Sequence, residues 1–194
     1  MVYQSQGWHR WVKKENCVES LLHPEKMGSR VQRNPLVWVL PLQAILLLSN
    51  LDLLDPWGDE WDTLTVVTQP VSQVASIDPT NPPLYYVLLH YWIQLSWMVS
   101  PLTSMRAMSA VWALAATVAI YALWLRREGP GFQTMFLALW VLSPCLLLHA
   151  RMARSYSMEL ALASVAIYTA PQWAEQPRNW KRLLAQVGST AALL

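Results

Sequence analysis

The chain has 194 residues, of which 54% are hydrophobic, 13% are charged and 12 are tryptophans, and its formal net charge is +2. Soluble domains average about 45–50% apolar and about 25% charged residues, so the scarcity of charge argues against an ordinary soluble domain. The apolar content excludes a disordered chain, and the few scattered basic residues argue against nucleic acid as a partner. The composition therefore predicts an all-α integral membrane protein, built as a multi-span helical bundle.

The apolar segments begin only after a polar and basic N-terminal stretch, which contains no apolar run typical of a secretory signal peptide. We predict a cytoplasmic segment over 1–34 and the N-terminal part of a transmembrane domain over 35–194. About 20 apolar residues cross a bilayer core. Runs near that length predict spans at about 36–54, 104–125, 132–149 and 157–171, with a further apolar run at 183–194. Because this last run stops after twelve residues, we expect the chain to be part of a longer protein.

One segment, 82–99, is long enough to span but contains His90, Gln94 and five Tyr or Trp rings. If it lies along the membrane interface, eight basic residues fall on the cytoplasmic side and three outside. If it spans, the counts become six and five. The first arrangement agrees better with the positive-inside tendency, and Tyr and Trp favour the interface. We therefore predict juxtamembrane helices at about 61–76 and 82–99 within a long first external loop.

The external loop begins with a cluster of acids. Five occur within eleven residues: Asp52, Asp55, Asp59, Glu60 and Asp62. Acids outside the membrane need no partner in water, so the cluster can be a solvated surface. Alternatively, a carboxylate of this cluster, first of all Asp59, lies beside a bound substrate as a general base or a divalent-cation ligand. Trp57 and Trp61 flank Asp59 and would hold it at headgroup depth.

A second polar cluster follows the third predicted span, where Arg151 and Arg154 are three residues apart and Tyr156 comes just after them. On a helix this spacing puts both arginines on one face. They can contact lipid phosphates as long interfacial side chains do, or clamp a phosphate or pyrophosphate through their planar guanidinium groups. Arg106, at the start of the second span, can bind the same phosphate as these arginines or only anchor its helix. The predicted topology puts both polar clusters on the external side, so we expect them to face each other.

Five motifs occur in a fixed order. They are D-E at 59–60, N-P-P-L-Y-Y at 81–86, Arg106 with Ser109, L-S-P at 142–144 and A-R-M-A-R-S-Y-S at 150–157. In this order the chain, over about residues 36–170, resembles the N-terminal half of the polyprenyl- and dolichyl-phosphate-sugar glycosyltransferases. These belong to the glycosyltransferase C superfamily and include the protein O-mannosyltransferases and the lipid A aminoarabinose transferases, which are similar to glycosyltransferase family 39. The resemblance implies inverting transfer of a sugar from a polyprenyl-phosphate carrier to an acceptor on the extracytoplasmic face.

The resemblance also implies roles for particular residues. Asp59, with Glu60 beside it, would be the catalytic base that takes a proton from the acceptor hydroxyl or amine. The leaving lipid phosphate needs positive charge, for which Arg151 and Arg154 are the candidates. Further residues are expected to bind substrate or phosphate: Tyr156, Arg106, Asn81 and Tyr85. The cofactor that the resemblance allows is a divalent cation, held by Asp59 and Glu60. The expected partners, besides the carrier, are membrane lipid and an acceptor, which can be a protein, a lipid or a glycan.

The chain departs from the family pattern at two places. Asn81 stands where relatives usually have His or an acid, and Arg151-Met152 stand where many have Gln-Glu. Two other functions stay open: a transporter that clamps an anionic lipid without breaking a bond, and a non-catalytic membrane subunit or fragment. A transporter predicts functional acids within the spans, whereas these acids cluster in a loop. We expect the protein in a bacterial inner membrane, with a cytoplasmic N-terminus.

Overall fold

The computed structural model describes residues 34–53, 55–77, 82–96, 99–175 and 180–191. The regular structure within these ranges is entirely helical, so the prediction of an all-α chain is confirmed. The predicted N-terminal segment 1–34, apart from Asn34, and the candidate residue Asn81 lie outside the described residues. The helices are α1 (Leu36–Leu48), α2 (Gly58–Val67), α3 (Val71–Ile77), α4 (Pro83–Leu95), α5 (Pro101–Leu123), α6 (Pro130–Val141), α7 (Pro144–Ala150), α8 (Tyr156–Glu175) and α9 (Trp180–Ala191), with a 3₁₀ turn at Leu125–Arg127.

The first predicted span, 36–54, is shorter in the structure because α1 ends at Leu48. Ser49 is extended, with ψ 134°, and Asn50 adopts a left-handed conformation with φ 54°, which asparagine tolerates better than most residues. The helix has 13 residues. At 1.5 Å per residue it is about 20 Å long, which is less than the roughly 30 Å of a bilayer core.

The third predicted span, 132–149, is two helices, α6 and α7, which meet at an angle of 54°. Pro144 is the first residue of α7, and Ser143 before it has ψ 118°. A proline disfavours the helical conformation of the preceding residue, so α6 cannot continue through Ser143. The L-S-P motif therefore marks a helix break.

The long loop before α5 is itself helical, but its first predicted helix, 61–76, is divided into α2 and α3. Pro70, in the break, lacks the N–H that would continue the hydrogen-bond ladder of α2. The second predicted helix, 82–99, corresponds to α4, which begins at Pro83. Proline suits the first helical turn because the N–H groups there have no partner within the helix.

Helix α5 is central, since it packs against α1, α4 and α8. The loop helices share a core with the first turns of α5 and α8, so they are held against the bundle. Buried residues of this core are Val66, Val67, Val74, Tyr85, Tyr86, Leu89, Met105, Met108, Ala153 and Met158. This packing brings the start of α2, the start of α5 and the α7–α8 connection to one end of the bundle.

Only part of the described chain has helices of membrane-spanning length and apolarity. Helix α5 meets both requirements, and the bent pair α6–α7 would be a second span if it counts as one. Helix α1 is apolar but short. A core helix of a soluble protein can meet the same requirements, so a bundle of several spans stays a prediction.

Three helices are joined by a buried polar cluster. The Thr117 hydroxyl on α5 donates to Oε1 of Gln43 on α1 (2.8 Å) and accepts from the indole N–H of Trp140 on α6 (2.9 Å). Gln43 and Thr117 are fully buried. Buried polar groups are costly when they lose a partner, so this cluster fixes how α1 and α6 sit on α5.

Replacing Thr117 by Val should destabilise the protein by about 1–3 kcal/mol, because Gln43 and Trp140 would each lose a buried hydrogen-bond partner. Thermal unfolding in detergent measures the change. Thr134→Val is the matched control, since Thr134 is exposed and its hydroxyl contacts the Pro130 carbonyl of its own helix. Equal melting temperatures of the two variants would show that the cluster contributes nothing.

Candidate functional site

Glu60 lies fully buried in the first turn of α2. Its Oε1 accepts hydrogen bonds from Nε of Arg106 (3.0 Å) and from the backbone N–H of Ala153 (2.8 Å). Its Oε2 accepts from Nη2 of Arg106 (2.6 Å) and from the backbone N–H of Trp57 (3.2 Å). The carboxylate therefore has four donors and connects α2 to α5 and to the α7–α8 connection.

Arg106 completes this network from the start of α5, where it is only 3% exposed. Besides the two bonds to Glu60, its Nη1 donates to the carbonyl of Leu51 (2.6 Å), just beyond α1. Burial alone would raise the pKa of Glu60, but the hydrogen bonds from Arg106, Ala153 and Trp57 and the charge of Arg106 hold that pKa below its ordinary value. Glu60 is thus an ionised partner of a buried pair.

These contacts concern two residues that the sequence places in the site. Glu60 was expected to be catalytic together with Asp59, and Arg106 was expected to bind substrate or phosphate; both of these roles stay predictions. Both side chains are buried and bonded to each other, and both line a cavity of about 220 Å³. We assign both a structural role, which is to join the segments that carry the exposed polar residues.

Asp59, next to Glu60 in sequence, has the opposite environment. Its side chain is 59% exposed, and its Oδ2 lies 3.6 Å from Nη2 of Arg154, whose side chain is 16% exposed. Burial alone would lower the pKa of Arg154, but its hydrogen bond with Tyr156 and the charge of Asp59 raise that pKa above the ordinary value. The two polar clusters predicted to face each other do meet, through Asp59 and Arg154.

Tyr156 lies beside this ion pair, with its ring centroid 5.8 Å from the guanidinium carbon of Arg154. A guanidinium over an aromatic face is attracted by the ring quadrupole. Tyr156 is also exposed, and the imidazole of His149 meets its ring at an angle of 82°. Asp59, Arg154 and Tyr156 form what we call the surface site.

Tyr85 does not reach the surface site. It is 1% exposed, and its hydroxyl lies 3.4 Å from Oγ of Ser109, which in turn donates to the backbone carbonyl of Arg154 (3.2 Å). Burial raises the pKa of Tyr85 well above its ordinary value, so the phenol stays neutral. Tyr85, which the sequence predicts to bind substrate, lies inside the bundle, where Ser109 links it to the backbone of Arg154. Its part in substrate binding stays a prediction.

Arg151 was expected to form one clamp with Arg154, but the two point to different partners. Nη2 of Arg151 donates to the carbonyls of Ser49 (2.8 Å) and Asn50 (3.0 Å) at the end of α1. The assumed helical spacing does not apply, because α7 ends at Ala150 and residues 151–155 form turns. Arg151 therefore caps the C-terminal end of α1, as cations near helix C-termini commonly do.

An apolar groove of about 590 Å³ adjoins the surface site at Tyr156. It runs along α7, between the end of α6 and the first turns of α8. Its lining residues are Trp140, Ser143, Cys145, Leu146, His149, Ala150, Tyr156, Ser157 and Leu160. Tyr156 thus contacts both a cation and an apolar groove.

The described residues contain no group of three His, Cys, Asp or Glu side chains arranged to hold a metal ion. Both oxygens of Glu60 are engaged, so within the D-E pair only Asp59 has a carboxylate open to a ligand. Sequence reasoning missed the contacts of Glu60 with Ala153 and of Arg106 with Leu51. Those partners are backbone groups, which every residue carries, so no sequence signal marks them.

Comparison of the chain with family models, with curated proteins and with solved structures finds no match. The resemblance to lipid-linked glycosyltransferases therefore rests on the ordered motifs alone.

Proposed function

We propose that this protein is an integral membrane glycosyltransferase, which moves a sugar from a polyprenyl-phosphate carrier to an acceptor on the extracytoplasmic face. One observation carries the proposal: an exposed carboxylate, Asp59, lies 3.6 Å from the guanidinium of Arg154 at the end of an apolar groove. The reaction needs a base, a cation for the leaving phosphate, and an apolar surface for the lipid.

A membrane location is supported by the polarity of the inside and outside of the bundle. Small and polar side chains are fully buried along α5, among them Ser109, Ala110, Ala113, Ala116 and Thr117. Large apolar side chains point outward, among them Trp38 (68%), Ile45 (66%), Leu139 (69%) and Ile167 (62%). Soluble proteins bury such residues, whereas membrane helices bring small and polar residues to their contacts and turn large apolar ones to lipid.

Helix α9 has the same arrangement. Gln186 faces α8, where the Thr169 hydroxyl donates to its Oε1 (2.7 Å). Leu184 and Val187 are exposed, at 59% and 53%. A helix that turns its polar side inward and its apolar side outward suits lipid or further protein around the described bundle.

The chemistry assigns one role to each member of the ion pair. Asp59 takes the proton of the acceptor O–H or N–H while that acceptor atom attacks the anomeric carbon. The bond from the anomeric carbon to the phosphate oxygen breaks, and the electron pair leaves with the lipid phosphate. Arg154 stabilises the negative charge that develops on this phosphate. Because the reaction is a single displacement at the anomeric carbon, it inverts the configuration of that carbon.

Replacing Arg154 by Gln tests the proposal by removing the charge that faces the leaving phosphate. In proteoliposomes with a radiolabelled polyprenyl-phosphate sugar, we expect kcat/KM for transfer to fall by about 10²–10³-fold, as when one transition-state donor is removed. Arg127→Gln is the matched control, because Arg127 is exposed in the turn between α5 and α6. Absence of transfer by the unaltered chain would contradict the proposal, and carrier binding without transfer would favour a transporter.

A further inference from the structure

Two residues of the ordered motifs, Arg106 and Ser109, lie three residues apart on α5, so their side chains project from one face of this helix. That face meets the connection between α7 and α8. Arg106 bonds to Glu60, whose carboxylate accepts the backbone N–H of Ala153 (2.8 Å). The Ser109 hydroxyl donates directly to the backbone carbonyl of Arg154 (3.2 Å). The two motif residues therefore hold consecutive residues of the connection.

The backbone at Arg154 depends on such contacts because it is not helical. Residues 151–155 form turns, so the regular hydrogen-bond ladder of a helix does not fix them. Ser109 is fully buried, so water does not compete with its hydroxyl for the Arg154 carbonyl. The position from which the Arg154 side chain leaves the backbone is thus set from inside the bundle.

Tyr85 extends this contact to a third helix, α4. The Arg154 carbonyl can only accept, so the Ser109 hydroxyl gives its one proton to that carbonyl. The Tyr85 hydroxyl, 3.4 Å from Oγ of Ser109, must then be the donor of their contact. Burial raises the pKa of Tyr85 well above its ordinary value, so the phenol keeps the proton that it donates. A chain of two hydroxyl groups therefore runs from α4 through α5 to the backbone of Arg154.

We infer that Ser109 is a positioning residue, whose hydroxyl holds the Arg154 backbone so that the guanidinium lies 3.6 Å from the carboxylate of Asp59. The inference rests on the proposed function, in which both of these charged groups act on the substrate. Ser109 itself is fully buried and acts only through Arg154. Such placement affects the rate strongly, since a displacement of about 1 Å can cost about 10²-fold.

Ser109→Ala tests the inference in the transfer assay, because it removes the hydroxyl and little else. We expect kcat to fall by about 10–10²-fold and KM to stay within about twofold, since only the placement of the cation changes. In the Arg154→Gln background, Ser109→Ala should have no further effect. Ser104→Ala is the matched control, since Ser104 is another buried serine of α5, and its hydroxyl contacts Ser96. Additive losses, or an equal loss in Ser104→Ala, would overturn the inference.

Nuclear magnetic resonance tests the placement of Arg154 without any transfer. In the purified protein with isotopically labelled arginine, the Nε–H resonance of Arg154 is identified by its loss in Arg154→Gln. Ser109→Ala should shift this resonance, and Ser104→Ala should leave it in place. Tyr85→Phe removes the donor to Ser109 and should also shift it, which provides a second variant should Ser109→Ala not fold.

The two measurements separate the inference from the proposed function. An unshifted Arg154 resonance in Ser109→Ala would overturn the inference even if the protein transfers sugar. A shifted resonance in a protein that transfers no sugar would contradict the proposed function, while the contact between Ser109 and Arg154 would stand.

Discussion

Replacing Glu60 by Gln is expected to destabilise the protein by about 3–5 kcal/mol, the range for breaking a buried ion pair by removing one partner. Arg106 is 3% exposed and would keep its charge without the carboxylate that now accepts two of its hydrogen bonds. Thermal or denaturant unfolding in detergent measures the loss. Glu128→Gln is the matched control, since Glu128 is exposed.

A double variant shows whether the loss belongs to the pair. Glu60→Gln and Arg106→Gln together should cost clearly less than the sum of the single changes, because no charge is then left buried alone. Additive losses would contradict a direct coupling between the two side chains. In that case the loss of stability would come mainly from the hydrogen bonds to backbone groups and not from the ion pair.

The stability of the protein should depend on pH through Glu60, and the pKa of Glu60 sets the direction of this dependence. The pKa of Glu60 is lowered in the folded protein from its ordinary value of 4.5. The folded state therefore favours the carboxylate, and this stabilisation is present above pH 4.5 and is lost as the pH falls through the lowered pKa. The unaltered chain should lose stability over this acidic range, and Glu60→Gln should lose less. Parallel curves for the two proteins would contradict this account of Glu60.

The sequence predicts the helical fold and the meeting of the two polar clusters. Apolar runs separated by charged turns predict helices, and the order of the turns puts Asp59 and Arg154 at one end of the bundle. Helix ends are predicted less well. Asn50 and Pro144 end helices inside apolar runs, where hydropathy gives no signal although the break before a proline has a clear steric cause.

The roles within the clusters could not be predicted from residue type. Asp59 and Glu60 are adjacent acids, yet a helix turns successive side chains by about 100°, so one faces the core and the other faces outward. Arg151 and Arg154 also differ in their partners. Their side chains point in different directions because the chain between them is not helical. Burial and backbone partners decide which charge is structural, and both depend on tertiary packing.

Asp59→Asn should lower kcat for sugar transfer by about 10²–10⁴-fold, the usual contribution of a general base. Asparagine has nearly the same shape but accepts no proton at neutral pH. The protein should fold as before, because the Asp59 side chain is 59% exposed and exposed ion pairs contribute at most about 1 kcal/mol. Transfer rates at saturating donor, with farnesyl phosphate affinity measured in parallel, separate catalysis from binding.

Asp62→Asn provides the matched control for Asp59, since Asp62 is an exposed acid three residues further along α2. If both variants keep full activity, the acidic cluster is a solvated surface and Asp59 is not the base. If both lose activity equally, the general negative charge of the loop is responsible, and no single carboxylate takes the proton. Loss in Asp59→Asn alone, with carrier affinity retained, requires a step in which a bond is broken, which a transporter that only clamps the anionic lipid does not have.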